Sequence, residues 1–289
     1  MSAATERQQA VSGYLLIAPA FILVGLFLAA GLFATLVVSF WTQTNQTITP
    51  GFTFQNYLEA FTNPIFRNLF LRSLAISLAT TIGTVLIAYP VAYFLAFYSG
   101  DRRTLWMILI TIPFWLSYLL RVFAWKLILG YNGVINSGLK ATGLIHEPLS
   151  FLVYNPVAIV ITLIHAYVPY AVLPLFVSLE KIDRSYLEAA TDLGDTARDR
   201  FLRVVLPLSM PGVLASSLLI FIPTVGDYVT PQLVGGPDGL MIANAIQQQF
   251  GTSNNWPLGA SSAIVSMLLV GAMSLLFSYA VSRFSARVA

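Results

Sequence analysis

The chain has no cysteine, which excludes disulfides and thiolate chemistry and leaves its redox compartment open. It has only 2 histidines, and no H-E-x-x-H or other metal-spaced cluster, so no metal site is expected. No G-x-x-x-x-G-K-[ST] phosphate loop occurs, so this chain is expected to bind no nucleotide cofactor itself. No nucleophile elbow supports a hydrolase. Charge is scarce: 9% of residues are charged, against roughly 25% in soluble domains. The net charge of +3 is spread over short loops rather than clustered, which argues against nucleic acid as a partner. There is no internal repeat, no low-complexity tract and no second domain.

What the chain has instead is apolar length. Of its 289 residues, 57% are hydrophobic, and the mean hydropathy is +0.78. A membrane-spanning helix needs about 20 mostly apolar residues. Six windows qualify: 14–40, 71–97 (interrupted by Pro90), 105–129, 156–177, 206–225 and 258–284. The expected fold is all-α, a polytopic six-span bundle forming a single transmembrane domain over 1–289. The first window is too long for the apolar region of a signal peptide and reads as a retained span.

Topology follows from Lys and Arg. With the N-terminus in the cytoplasm, the inner side holds Arg7, Arg102, Arg103, Lys181, Arg184, Arg198, Arg200, Arg203, Arg283 and Arg287. The outer side then holds only Arg67, Arg72 and Lys140, with Arg121 and Lys126 inside the third window. Both termini and the loop 180–205 are therefore expected to be cytoplasmic. Of the outer segments, 42–68 reads as loop, with Pro50-Gly51 as a turn signal and a weak Asn45-Gln46-Thr47 glycosylation pattern. The segment 131–155 suggests a short interfacial helix, and 223–257 is rich in Gly, Pro and Asn.

The polar island YLEAATDLGDTARDRFLRVVLP, Tyr186–Pro207, stands alone in an oily second half. Ser185-x-x-Glu188 reads as a capping box for a helix over 186–193. Gly194 then supplies the left-handed residue that ends it. Thr196-x-x-Asp199 is a weaker box for a second helix reaching about Val205, whose buried side is Phe201, Leu202, Val204 and Val205. Ala189 and Ala190 keep one face of the first helix small enough for close approach. These residues alone leave two readings open: a solvated connector, or a surface for a partner.

The spacing of Glu188-Ala189-Ala190, Gly194, Val204, Leu206 and Pro207 resembles the EAA motif of ABC importer permeases, with Val204 where that family carries Ile. The likeness extends over nearly the whole chain, from about residue 10 to 285. It implies a coupling helix that docks on an ATPase subunit, with Glu188, Ala189, Ala190, Gly194, Leu206 and Pro207 as its residues. It also implies a second permease, expected to be a different chain, two ATPases that use ATP, and a periplasmic or extracellular substrate-binding protein. Localisation would be the bacterial inner membrane. The stretch PTVGDYVTPQLVGGP, 223–237, resembles the spermidine/putrescine permease subgroup, as do Phe54-x-Asn56-Tyr57 and Leu71-Arg72-Ser73-Leu74. Related permeases carry opines, thiamine, ferric iron, sulfate and phosphonates.

Near the outer end of the fifth window, Asp227 has two readings. It can meet a polyamine ammonium, with Tyr228 or Trp125 adding cation–π contact, or it can form an ion pair with Arg121 at matching depth. Lys126 is expected to snorkel. His165 reads as a hydrogen-bonded interior residue, Pro169 and Pro174 as packing or a flexible gate wall, and Gly271 and Ser274 as close-packing positions. A secondary carrier would need coupling charges deep in the bundle, where few occur. A membrane enzyme would need a His, Asp or Glu cluster at one face, and the only such cluster carries the coupling pattern.

Overall fold

Helix starts are written into the side chains that precede them. In the computed structural model, which describes residues 3–44, 47–152 and 154–288, Asn63 caps α3 (Pro64–Phe97) by accepting from Ile65 N at 2.9 Å, with Pro64 at the first helical position. Asn155 caps α7 (Pro156–Glu180) in the same way, accepting from Val157 N and Ala158 N at 2.8 and 3.2 Å. Both use an Asn acceptor for orphan N–H groups and a Pro that has no N–H to lose. The Asn45-Gln46 part of the glycosylation pattern lies outside the described residues.

In chain order the remaining elements are α1 (Ala3–Ser39), the hairpin β1 (Thr42–Thr44) and β2 (Thr47–Thr49), and α2 (Gln55–Thr62). After α3 come α4 (Arg103–Thr111), α5 (Tyr118–Leu129) and α6 (Val134–Ala141). After α7 come α8 (Arg184–Asp192), α9 (Ala197–Arg200), α10 (Leu206–Val225), α11 (Gly236–Gly239), α12 (Ile242–Phe250) and α13 (Trp256–Val288). Among the described residues the fold is all-α but for the 2-stranded hairpin, whose register pairs Thr42 with Thr49 and Thr44 with Thr47. The segment 42–68, read above as loop, thus holds a hairpin and a helix.

Among the described residues, five helices are long and apolar enough to cross a membrane, and there are six spans if a bent pair is counted as one. The bent pair covers the third window, 105–129. Pro113 has no N–H to continue the helix, and the chain leaves α4 through a 3-10 turn, Ile112–Trp115. Leu116 and Ser117 then take extended backbone (ψ 142° and 134°) before α5 begins. The two arms lie at 85°. The third window is thus two helical arms with a sharp bend between them, not one continuous helix.

The chain divides into two units, Met1–Thr62 with Gln248–Val265, and Asn63–Gln247 with Ser266–Ala289. The second is built on α3, α7 and α10, which pack on one another through small residues. Ala88, Ala92 and Ala171 are fully buried there with Leu95, Leu175 and Leu179. Hydroxyls stitch the same seam: Tyr89 Oη lies 2.7 Å from Ser209 Oγ, and Ser216 Oγ donates to Ala171 O at 3.1 Å. Small side chains and hydroxyl bonds are what hold helices together where lipid supplies no hydrophobic drive between them.

Gly212 marks a close approach of α10 to α7. A Cβ there would sit 2.5 Å from Ser178 Cβ and 2.8 Å from Pro174 O, a backbone atom of α7 that cannot step aside. On Gly271 of α13, a Cβ would meet nothing within 4 Å among the described residues. Gly212→Val is therefore expected to cost about 1–3 kcal/mol by overpacking, while Gly271→Ala should be near neutral. Thermal denaturation of the detergent-purified chain checks this; equal melting points for both variants would contradict the packing described here.

Candidate functional site

The α7–α10 connection contains the coupling candidates. α8 is capped by Asp183, whose carboxylate accepts from Ser185 N at 2.9 Å. That bond holds the Asp183 carboxyl below its ordinary pKa. Ser185 therefore lies inside the helix, and the capping box expected between Ser185 and Glu188 is replaced. The physical reason is that Asp183 brings a formal negative charge to the positive end of the helix, which a hydroxyl cannot match. Glu188 is thereby released from capping and stands exposed.

The other end of α8 closes as a full Schellman motif. Gly194 takes φ +88°, its N–H donates to Thr191 O at 2.9 Å, and the Asp195 N–H donates to Ala190 O at 3.0 Å. Thr196 then caps α9, accepting from Asp199 N at 3.2 Å while its hydroxyl bonds the Asp199 carboxylate. Arg200 reaches back to Thr191 Oγ1 at 2.7 Å, and Arg203 to Asp195 at 3.0 Å. The exposed Arg203–Asp195 pair adds little energy but fixes geometry.

The second rod does not end at Val205. A π-helical turn, Phe201–Val205, carries it straight into α10, with Leu206 N bonded to Phe201 O. Pro207 explains the widening: it offers no N–H, and its ring crowds the carbonyl four residues earlier. The result is one helical stretch, Ala197–Val225. Ile182, Val205, Leu187, Phe201 and Leu206 pack into the core shared by α3, α7 and α10. Tyr89 and Tyr93 meet Phe201 edge-on at 5.7 and 6.2 Å. Leu202, expected on the buried side, is exposed instead, because at about 100° per residue it lies to one side of Phe201 and Val205.

Away from that core, α8 presents Tyr186, Ala189 and Leu193 on one exposed face. Leu193 is 88% exposed. Ala190 is buried, so only one of the two alanines belongs to this face.

The pathway candidates fall into separate groups. Asp227 lies just past α10. Its Oδ1 accepts from Val229 N (2.9 Å) and Thr230 N (3.3 Å), and its Oδ2 accepts from Tyr118 Oη at 2.6 Å. Arg121 is 7% exposed and donates to Ala166 O at 3.2 Å, with its guanidinium 5.9 Å from the Tyr118 ring. Among the described residues no ion pair joins Arg121 to Asp227, which corrects the pairing considered above. Three donors already satisfy the carboxylate, and Tyr118 stands between the two charges. About one of the four lone-pair directions of Asp227 remains for another donor.

Trp125 packs edge-on to His165 at 5.3 Å, and both line an apolar cavity of ≈ 550 Å³ at the α4–α5 elbow, with Pro113 and Pro169. The Tyr228 ring is exposed, and its carbonyl accepts from Asn244 at 2.8 Å. Sequence reasoning missed Tyr118, Thr230 and Asn244. Tyr118 lies one helical turn before Arg121, so the i, i+3 pair was an available signal.

The capped, braced connector thus leads unbroken into the apolar helix that follows it. The family described as binding-protein-dependent transport system inner membrane component matches residues 88–288. The chain belongs to that family. Spermidine/putrescine transport system permease protein PotB of Escherichia coli (strain K12) is 35% identical over 226 residues, 78% of this chain and 82% of that protein. The PotB of Haemophilus influenzae is 37% identical over 212 residues, 73% of each. A crystal structure of a bacterial ABC transporter that imports the acidic polysaccharide alginate shares the fold, with a TM-score of 0.75 at 16% identity, covering 96% of this chain and 98% of that one.

Tyr118→Phe removes the donor to Asp227 and leaves the ring against Arg121. Loss of a hydrogen bond to a charged group is expected to cost about 1.5–3 kcal/mol. The check is thermal stability of Tyr118→Phe beside Asp227→Asn and the double variant. Additive losses would show that the two groups do not interact.

Proposed function

We propose that this chain is the transmembrane permease subunit of an ATP-driven importer for polyamines such as spermidine and putrescine, forming half of its translocation pathway. The observation that carries the transport mechanism is the connector: a rod closed by Gly194, braced by Arg200 and Arg203, and continuous with α10. The exposed Tyr186–Ala189–Leu193 face supports docking on an ATPase subunit, with Glu188 beside it as a polar contact. The identity to PotB permeases supports the substrate class. The other solutes named above are the alternative.

In this reading ATP is hydrolysed by two partner ATPases, and the chain itself holds no cofactor. A second permease of different sequence completes the pathway, and an external binding protein delivers substrate. The chain sits in the bacterial inner membrane with both termini cytoplasmic, as the Lys and Arg distribution supports. ATP closes the ATPases, α8 follows the docked surface, and α9 passes the displacement into α10 without a hinge. At the far end of α10, the remaining acceptor direction of Asp227 offers a site for an ammonium group, and the exposed Tyr228 ring offers a cation–π face.

Two measurements test this. Gly194→Val forces a β-branched residue to φ +88°, at a cost of about 1–2 kcal/mol to the turn. Gly194→Val and Glu188→Lys should leave membrane insertion and ATP hydrolysis intact while uncoupling ATP use from uptake. Gly194→Asn, which tolerates that conformation, should keep most coupling. Normal uptake by the first two variants would rule out the coupling role. Separately, Asp227→Asn should lower uptake of labelled spermidine or putrescine about tenfold, for a charged contact worth about 1.4 kcal/mol or more. Unchanged uptake would remove Asp227 from the pathway while leaving the coupling mechanism standing.

A further inference from the structure

We propose that α2 is an interfacial anchor: a short helix lying along the boundary between acyl chains and lipid headgroups, at the end of α1 remote from its N-terminus. The occupant of its apolar side is lipid.

The helix has three distinct faces within 8 residues. At about 100° per residue, Phe54, Leu58 and Phe61 fall on one side. All three are exposed, Leu58 by 63%. Gln55, Glu59 and Thr62 form a second exposed side roughly a quarter-turn round, and it is polar. A solvated helix would not carry the first side, and a buried helix would not carry the second. A helix resting at a lipid–water boundary needs both.

The third side pins the helix to the end of α1. Asn56 donates to Ser39 O and Trp41 O at 2.9 and 2.8 Å, which satisfies carbonyls at the end of α1 that have no partner of their own within a helix. Tyr57 Oη lies 2.6 Å from Ser39 Oγ, and Thr53 N donates to Phe40 O at 2.9 Å. These directional bonds, with Phe54 and Tyr57 against Phe40, fix α2 on the end of α1, while Leu58 and Phe61 are left exposed.

The apolar surface continues onto α1. Ile17–Ser39 is apolar enough to cross a membrane, and Phe33 and Leu36 near its end are exposed. Phe40 stacks on Phe52 with ring centroids 4.8 Å apart, and Phe54 meets both edge-on at 5.4 and 5.2 Å. The exposed face of α2 is thus joined to the lipid-crossing helix by an unbroken run of rings.

An independent marker gives the depth. Trp41 and Trp256 belong to the same unit, and Gln43 ties them to one level: its amide donates to Asn254 O at 2.6 Å and accepts from Trp256 N at 3.2 Å. The indole of Trp256 is half-exposed and donates to Asn254 Oδ1 at 3.0 Å. Indole and phenol rings with a polar end gather where hydrocarbon meets headgroups. α2 lies beside this girdle with its own Tyr57.

The lack of native cysteine makes the test direct. Single variants Leu58→Cys, Phe61→Cys and Glu59→Cys are spin-labelled in the intact transporter in lipid nanodiscs. Collision with oxygen and with a water-soluble nickel chelate is then measured. The oxygen-to-nickel accessibility ratio should be several-fold higher at positions 58 and 61 than at 59. Equal, water-like ratios at all three would overturn the proposal. Low accessibility to both reagents at 58 and 61 would also overturn it, by showing that a protein partner covers this side. Positions 58 and 61 report separately, so failure of one variant to assemble leaves the other to decide.

Discussion

The constraint on which the rest depends is that a backbone inside lipid must satisfy itself. It is felt most sharply where α10 meets the polar connector. Pro207 removes a donor just where the chain enters its apolar stretch. A break there would leave carbonyls unpaired and uncouple α9 from α10. The π turn instead moves the bond of Leu206 to Phe201 O and keeps the rod continuous. With that junction intact, Ile182, Leu187, Phe201 and Val205 tie the connector to the helix core, the route that the proposed coupling would use. Gly194 closes the other end of α8, at φ +88°.

The opposite problem is solved in the third window. There the helix does break, at Pro113, and both arms are kept in use. Tyr118, at the start of α5, touches the two charges of the region at once: its hydroxyl bonds Asp227, and its ring faces Arg121. The end of α10 and the elbow of the broken span are therefore joined by one side chain. The helix continuous with the connector thus ends beside a contact that reaches the elbow directly.

The all-α class, the membrane-spanning windows and the helix–Gly–helix form of the connector were legible because each rests on local signals: apolar length, a lone glycine, a Thr with an acid three residues on. What was not legible rests on competition between signals or on contacts far apart in the chain. Asp183 and Ser185 both suit a cap, and charge at a helix start decided for Asp183. Arg121 and Asp227 share a depth, yet depth says nothing of azimuth, and Tyr118 occupies the space between them. The elbow had a signal in Pro113, masked by a hydropathy that runs across it without interruption. Phe54, Leu58 and Phe61 had helical spacing, but too few turns to stand out beside Pro50-Gly51.

The central claim is that α8 is held against an ATPase and carries its motion. A single Leu193→Cys in this cysteine-free chain places a reactive group on the exposed face of α8. Cross-linking it in the assembled transporter, with and without ATP, tests the claim most directly. The account predicts efficient capture of the ATPase subunit and a yield or spacing that changes on nucleotide binding. A Leu193→Cys side chain that stays freely accessible to water-soluble reagents in the presence of ATPase and ATP would contradict it.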